Sequence, residues 1–251
     1  MKIKTYLINL KESTARKDKV LKDISCYSLL DVEVMEAVDG KKLTEEEKDY
    51  LFDRKRFKRI YSREPLDGEI GCTLSHRECY RRLLASDNEY ALILEDDVRF
   101  VHPDDVEPVL EKAVGILPSG RSGMILLNRC FCLYYKTLSA WGNFSFHRVW
   151  TATGTCAYLV NRYAAKKLLS VDKPFIVADG FGYMRMKGIY IKGIYPALAL
   201  DDSTMRLTTS EMVREDMPVV KGPIMYRVRK NLLTGLLNVL VRMKILKFGF
   251  K

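Results

Sequence analysis

Several things this chain lacks narrow its function before any motif is read. No apolar run approaches the twenty or so residues that a membrane-crossing helix needs, and the apolar part of Met1–Leu10 is too short for a secretory signal. There is no Gly-x-Gly-x-x-Gly fingerprint and no phosphate-binding loop ending in Gly-Lys-Ser/Thr. A dinucleotide-dependent oxidoreductase and a P-loop kinase are therefore both disfavoured. None of the six cysteines forms a Cys-x-x-Cys pair, and none has zinc-finger spacing to a histidine. Cys72, Cys79 and Cys156 read as small core residues, which points to a reducing cytoplasm. There are only three histidines, and no internal repeat or low-complexity tract.

What is present fits a folded enzyme. The chain has 251 residues, 47% of them hydrophobic, enough for one large packed domain. Net charge is +10, but eight Lys or Arg and no acidic residue lie from Lys221 onward. Subtracting those eight leaves about +2 on the body, so the body is not a general polyanion binder and no nucleic-acid partner is expected. Two regions follow: a main domain over 1–220 and a basic tail over 221–251. In the tail, Leu232, Leu233, Leu236, Leu237, Leu240 and Val241 fall on one helical face, with Arg227, Arg229, Lys230, Arg242 and Lys244 around them. This pattern predicts an amphipathic helix suited to an anionic membrane surface, or alternatively a solvated helix packed on the body.

The body alternates between strand and helix periodicity. Strands are expected at Ile3–Leu10, Asp31–Glu36, Ala91–Leu94, Met124–Leu127, Thr155–Val160 and Ile189–Tyr195, and helices at 14–24, from Gly68, over Val106–Ile116, Arg162–Ser170 and Asp179–Met186. Thr44 and Glu47 have capping-box spacing. Lys48–Glu64 reads as a charged surface excursion. Phe131–Trp150 reads as a hairpin or a mobile loop around Gly142-Asn143. Its aromatic residues Trp141, Phe144, Phe146 and Trp150 suit either a sugar-stacking wall or the core. The fold class is α/β with a mostly parallel central sheet.

The most informative segment is Ala91-Leu92-Ile93-Leu94-Glu95-Asp96-Asp97. Four apolar residues suit a strand buried on both faces, and three carboxylates follow at its carboxyl end, where open α/β sheets bind ligands. Adjacent carboxylates repel unless solvent or a cation relieves them. Divalent-metal ligation and a plain solvated loop both fit this segment taken alone.

Other segments add to it in order. Tyr6–Leu10 is followed by Ser13 and Arg16, then Ala37-Val38-Asp39-Gly40, Gly68–Cys72 with Ser75-His76, Ala91–Val98, and Thr153-Gly154-Thr155 leading to Tyr158. From Ile3 to about residue 200 this series resembles glycosyltransferase family 25, which includes bacterial lipooligosaccharide galactosyltransferases and collagen-modifying galactosyltransferase domains. The resemblance implies a GT-A-like fold, a UDP-sugar donor with galactose as the sugar, inversion at the anomeric carbon, and Mn²⁺ or Mg²⁺ on the donor diphosphate. It assigns Asp97 to the metal, Asp96 to the donor ribose and Glu95 to support. Asn9, Leu10, Arg16, Asp39, Ser75, His76, Gly154 and Thr155 are the further donor-site candidates. Each has a plain alternative: Asp39 as a turn residue before Gly40, Arg16 as a solvating charge, His76 as a structural histidine, Gly154 and Thr155 as a strand entry. Asp179 is the candidate base, with a helix cap as its plain role and Asp201 and Asp202 as rivals for base or metal ligand. The acceptor implied is a lipooligosaccharide or related surface glycan, with the enzyme cytoplasmic and peripheral on the inner membrane. Two other readings remain: a metal-dependent nucleotide-sugar phosphohydrolase, and a non-enzymatic basic adaptor.

Overall fold

A computed structural model describes residues 2–128 and 131–202, together with residues 239, 243, 247 and 248; for residues 131–137, 151, 247 and 248 only the backbone is described. In chain order the elements are β1 (Ile3–Asn9), α1 (Thr14–Ile24), β2 (Leu30–Glu36), α2 (Glu45–Leu51), α3 (Arg54–Tyr61), α4 (Asp67–Ala85), β3 (Tyr90–Glu95) and β4 (Val98–Phe100). A 3-10 turn at Pro103–Asp105 leads into α5 (Val106–Ile116). Then come β5 (Gly123–Leu126), β6 (Phe131–Trp141), β7 (Phe144–Ala152), β8 (Ala157–Asn161), α6 (Arg162–Leu169), α7 (Phe181–Met186), β9 (Tyr190–Tyr195), β10 (Ala199–Asp201) and β11 (Lys247–Phe248).

The expected α/β sheet is present, and it is mixed. Nine strands run in the order β11-β6-β7-β9-β5-β8-β3-β1-β2, and β10 pairs with β4 in a separate ribbon. β1 is parallel to β2 and β3, and β5 is parallel to β9. β8 runs antiparallel between β3 and β5. Because β8 is reversed, the loop that precedes it lies at the same sheet edge as the carboxyl ends of β1 and β3.

Burial on both faces explains the apolar runs. Leu92, Ile93 and Leu94 are wholly buried, each worth about 1.5–3 kcal/mol. Leu92 and Leu94 join α1 and α5 in one cluster, while Ala91 and Ile93 face α4, α6 and α7. The hairpin reading holds: β6 and β7 pair across Gly142, whose φ of +54° favours glycine. Phe144 and Phe146 are buried in the core, so they are not a sugar wall; Trp141 packs against the same cluster, and Trp150 lies under the Arg185 guanidinium at 3.8 Å.

Two expectations are corrected. The segment 48–64 is not a simple surface excursion: it forms α2 and α3, with Phe52 and Phe57 in a small core with Ile70 and Leu74. Lys48 is buried and holds Glu45 at 2.9 Å and Asp67 at 2.7 Å. The Thr44–Glu47 capping box is formed as expected. α7 begins at Phe181 with Gly180 as its cap, so Asp179 is not the helix cap. Most of the basic tail lies outside the described residues. Among the described residues, no helix is long and apolar enough to cross a membrane.

Candidate active site at the carboxyl edge of the sheet

β3 delivers Glu95, Asp96 and Asp97 to the sheet edge beside the end of β1, with Ile8 paired to Glu95. The turn at 96–97 reverses the chain into β4, and β10 pairs back on β4 with Asp201 opposite Val98. The Asp202 N–H donates to the Asp97 carbonyl at 2.9 Å. A strand from the far end of the domain thus places Asp201 against the acidic turn.

The electrostatics of the three carboxylates differ. Burial pushes the Asp97 carboxyl up to about 7, and the charges of Glu95, Asp201 and Asp96 push the same way. Its Oδ1 is enclosed and has no hydrogen-bond partner among the described residues. Burial also raises Asp96, although Arg16 opposes this from 3.7 Å. For Glu95, burial pulls upward, but the His76 and Thr155 hydrogen bonds and the His76 ring outweigh it and hold the carboxyl below its usual range. Asp97 is therefore the acid whose negative surroundings outweigh the opposing charge of Arg16. An oxygen-ligated divalent cation fits that need, with Asp97 and the carboxylates whose charges bear on it as candidate hard ligands.

Glu95 is held from beneath by a buried chain. Its Oε1 accepts the Thr155 hydroxyl at 2.6 Å and lies 3.2 Å from His76 Nε2. His76 Nδ1 is 2.8 Å from the Tyr158 hydroxyl, which is 2.8 Å from the Tyr80 hydroxyl. The set is self-consistent when Nε2–H donates to Glu95, Tyr158 donates to Nδ1 and Tyr80 donates to Tyr158. His76 and Thr155 both bond Glu95, and His76, buried with both ring nitrogens engaged, also lines the groove that runs past Leu10 and Asp39. Ser75, which lines the same groove, donates to Gly71 O at 2.7 Å and accepts from Val38 N at 2.8 Å. Cys72, His76 and Glu95 bring ligand-type atoms within 4.8 Å of one another. Burial, and then the charges of Glu95, Asp179 and Asp97, raise the Cys72 thiol and favour its protonated form while no cation is bound.

The groove beside this edge is floored by Ile8 and Leu10 and walled by Val38, Asp39 and Gly40. Asp39 Oδ1 accepts from Lys41 N at 3.0 Å, which shapes the turn and leaves the carboxylate on the groove. Asn9 donates from Nδ2 to Leu10 O at 2.6 Å, and its buried Oδ1 has no partner. The wall meets α4 backbone to backbone. A Cβ on Gly71 would lie 2.4 Å from Val38 O and 2.7 Å from Gly40 N, and one on Gly40 would lie 1.8 Å from Asp67 O. Neither contact involves a flexible side chain that could move aside. Gly71→Ala is expected to destabilise the fold by about 1–3 kcal/mol by overpacking and to weaken nucleotide binding in parallel; urea unfolding and a UDP titration of the same variant check both.

On the other side, Gly154 sits at φ +76° and its N–H donates to Asp179 Oδ2 at 2.9 Å. Asp179 is half-buried in the loop before α7. Asp202 is drawn away to the surface by Lys19 at 2.9 Å. The carboxyl edge therefore brings together Asn9, Leu10, Arg16, Asp39, Glu95–Asp97, Gly154, Thr155, Asp179 and Asp201. Sequence reasoning did not weigh Tyr80 in this role; its phenol is visible only through the buried chain it closes.

Residues 2–114 match the model of "Glycosyltransferase family 25 (LPS biosynthesis protein)". The chain is similar to a glycosyltransferase 25 family member of Anopheles gambiae, 37% identical over 46% of this chain and 19% of that protein. It is similar to procollagen galactosyltransferase 2 of Mus musculus, 38% identical over 39% of this chain and 16% of the relative. It is also similar to a glycosyltransferase 25 family member of Aedes aegypti, 32% identical over 67% and 28%. The chain thus spans well under a third of the length of each of these relatives. The stretch that matches the model of glycosyltransferase family 25, residues 2–114, holds β1, the β2 turn with Asp39, α4 and the acidic end of β3.

Proposed function

We propose that the protein is an inverting glycosyltransferase that moves a hexose, galactose by family likeness, from a UDP-sugar to a hydroxyl of a lipooligosaccharide or other surface glycan. The observation that carries the reading is Asp97, a buried carboxyl with an unpartnered oxygen among three other acids at the ligand-binding edge of the sheet. Mn²⁺ or Mg²⁺ there, held by Asp97 with Asp201, would neutralise charge developing on the leaving diphosphate. The chain's own residues do the rest. The groove by Leu10 and Asp39 seats the nucleoside, and Asp96 is placed for a ribose hydroxyl. Arg16, at the rim, is placed to turn from Asp96 toward a phosphate. The Thr155–His76–Tyr158 chain keeps Glu95 ionised and fixed, so that the acidic turn does not shift when a donor binds. Asp179 is the base assigned to the acceptor hydroxyl; one of its oxygens is anchored by Gly154 and the other is available to take a proton.

The test is a thermal-shift screen of UDP-sugars with Mn²⁺, followed by UDP release with and without acceptor. Binding at a hundred times Kd should stabilise the fold by about 2.7 kcal/mol. UDP release that depends on an acceptor supports transfer, whereas release of nucleotide without any acceptor would indicate a phosphohydrolase.

The sequence of the tail supports docking at the anionic inner face of a membrane, where a lipid-linked acceptor would lie. Reversing Arg227, Arg229 and Lys230 to Glu together should weaken binding to phosphatidylglycerol vesicles by 100-fold or more, at about 1 kcal/mol per charge, with transfer to a soluble acceptor unchanged. Vesicle sedimentation checks this, and equal binding by the variant would remove the membrane role.

A further inference from the structure

A second polar residue ends a buried strand at the same edge. Met124, Ile125, Leu126 and Leu127 are wholly buried, and Asn128 follows them as Glu95 follows Ala91–Leu94. Asn128 is 1% exposed, and among the described residues neither its Oδ1 nor its Nδ2 has a hydrogen-bond partner. A buried amide with both ends unpaired is costly to keep, so such groups are either matched by a ligand or serve no folding purpose. Its position is set by backbone. Leu127 N–H donates to Ala157 O at 3.1 Å, Leu127 O accepts from Leu198 and Ala199, and Asn128 bridges to Ala199 itself, two residues before Asp201.

Strand register places this amide relative to the donor. Glu95 N–H donates to Cys156 O on one side of the β8 entry, and Leu127 N–H reaches Ala157 O on the other. Asn128 is therefore level with Glu95, two strands away, or about 10 Å at the usual strand spacing. Met124 and Leu126 share the face of Ala91 and Ile93, so alternation puts Asn128 on the face of Glu95 and of α7, which follows Asp179. The nucleoside groove lies on the opposite side of β3, by β1 and β2. A UDP-hexose with its diphosphate at the acidic turn would extend its sugar in the direction of β8 and β5.

We infer that Asn128 is a sugar-selecting residue, whose amide donates to one hydroxyl of the transferred hexose and accepts from another. This rests on the transferase reading above. An amide offers both hydrogen-bond roles in one plane, which suits a pair of neighbouring hydroxyls and penalises a donor that presents only one of them.

The test compares Kd for UDP and for UDP-galactose and UDP-glucose, each with Mn²⁺, by calorimetry on the wild type, Asn128→Leu and Asn128→Asp. Leu is close in size and removes the unpaired polar atoms, so its melting temperature should be unchanged or higher. UDP should bind within about twofold of wild type in both variants. The better UDP-hexose should lose about 10- to 100-fold in Asn128→Leu, the scale of one or two buried hydrogen bonds. Asn128→Asp keeps the size and an acceptor, and decides the matter if the Leu variant does not fold. Equal shifts for UDP and UDP-hexose, or none for either, would overturn the assignment. A wild type that binds no UDP-hexose at all would instead overturn the transferase reading.

Discussion

Asp97→Asn should make the metal-free protein more stable above pH 7 while removing metal-dependent transfer. The sign follows from linkage. The folded Asp97 carboxyl titrates at about 7, above the roughly 3.9 of an unfolded aspartate. Between those values the folded state holds the extra proton, so this group's contribution to stability falls as pH rises through that window. Three units at 1.36 kcal/mol give an upper bound of about 4 kcal/mol, shared with Glu95, Asp96 and Asp201, whose charges help set the shift. Asparagine keeps the shape and removes the charge. Urea unfolding from pH 4 to 8 should show a falling profile for wild type and a flatter one for the variant. Mn²⁺ should stabilise wild type at pH 8 and leave the variant unmoved, and its apparent affinity should drop about tenfold per unit below pH 7, as protons compete for the ligand. Transfer should fall about 1,000-fold, since Lewis-acid stabilisation of a leaving group is worth several kcal/mol. A variant with the wild-type Mn²⁺ response would take the metal away from Asp97.

Asp179→Asn carries the second large effect. The amide oxygen can still accept the Gly154 N–H that Oδ2 now accepts at 2.9 Å, so the loop should keep its shape. What is lost is a group able to take the acceptor's proton, typically worth 100- to 10,000-fold in rate. The expected result is kcat down by that factor with UDP-sugar Kd unchanged. If transfer persists at the normal rate, the base moves to Asp201, because Asp202 is paired with Lys19 at the surface.

Much of this site was readable in the sequence because it follows strand periodicity. The run Ala91–Leu94 had to be buried on two faces, so the acids after it had to emerge at an edge. The same logic applied to Asn9 at the end of β1. The Thr44–Glu47 capping box and the hairpin around Gly142 are local signals, and they formed. What was not readable depends on partners distant in sequence. β10 is three residues long, too short for any pattern, and only its pairing with β4 brings Asp201 to Asp97. Ser75 and His76 sit at helix positions that look equally suited to a ligand or to the interior; the Val38 amide and Tyr158 hydroxyl, which fix their orientation, come from other elements. The charge of residues 48–64 hid Phe52 and Phe57, because two aromatics suffice to anchor short helices on a small core.

The reversed strand β8 bears on how the protein can be cut and recombined. The stretch that matches the family model ends at residue 114, yet β3 has β8 as its partner through Tyr90–Leu94. A fragment stopping at 114 would leave that central strand with an open, wholly apolar edge, a template for aggregation, and Glu95 without Thr155. Chimeras that exchange donor specificity between relatives should therefore transplant β3, β8 and β10 as one block and place their junctions after Asp201.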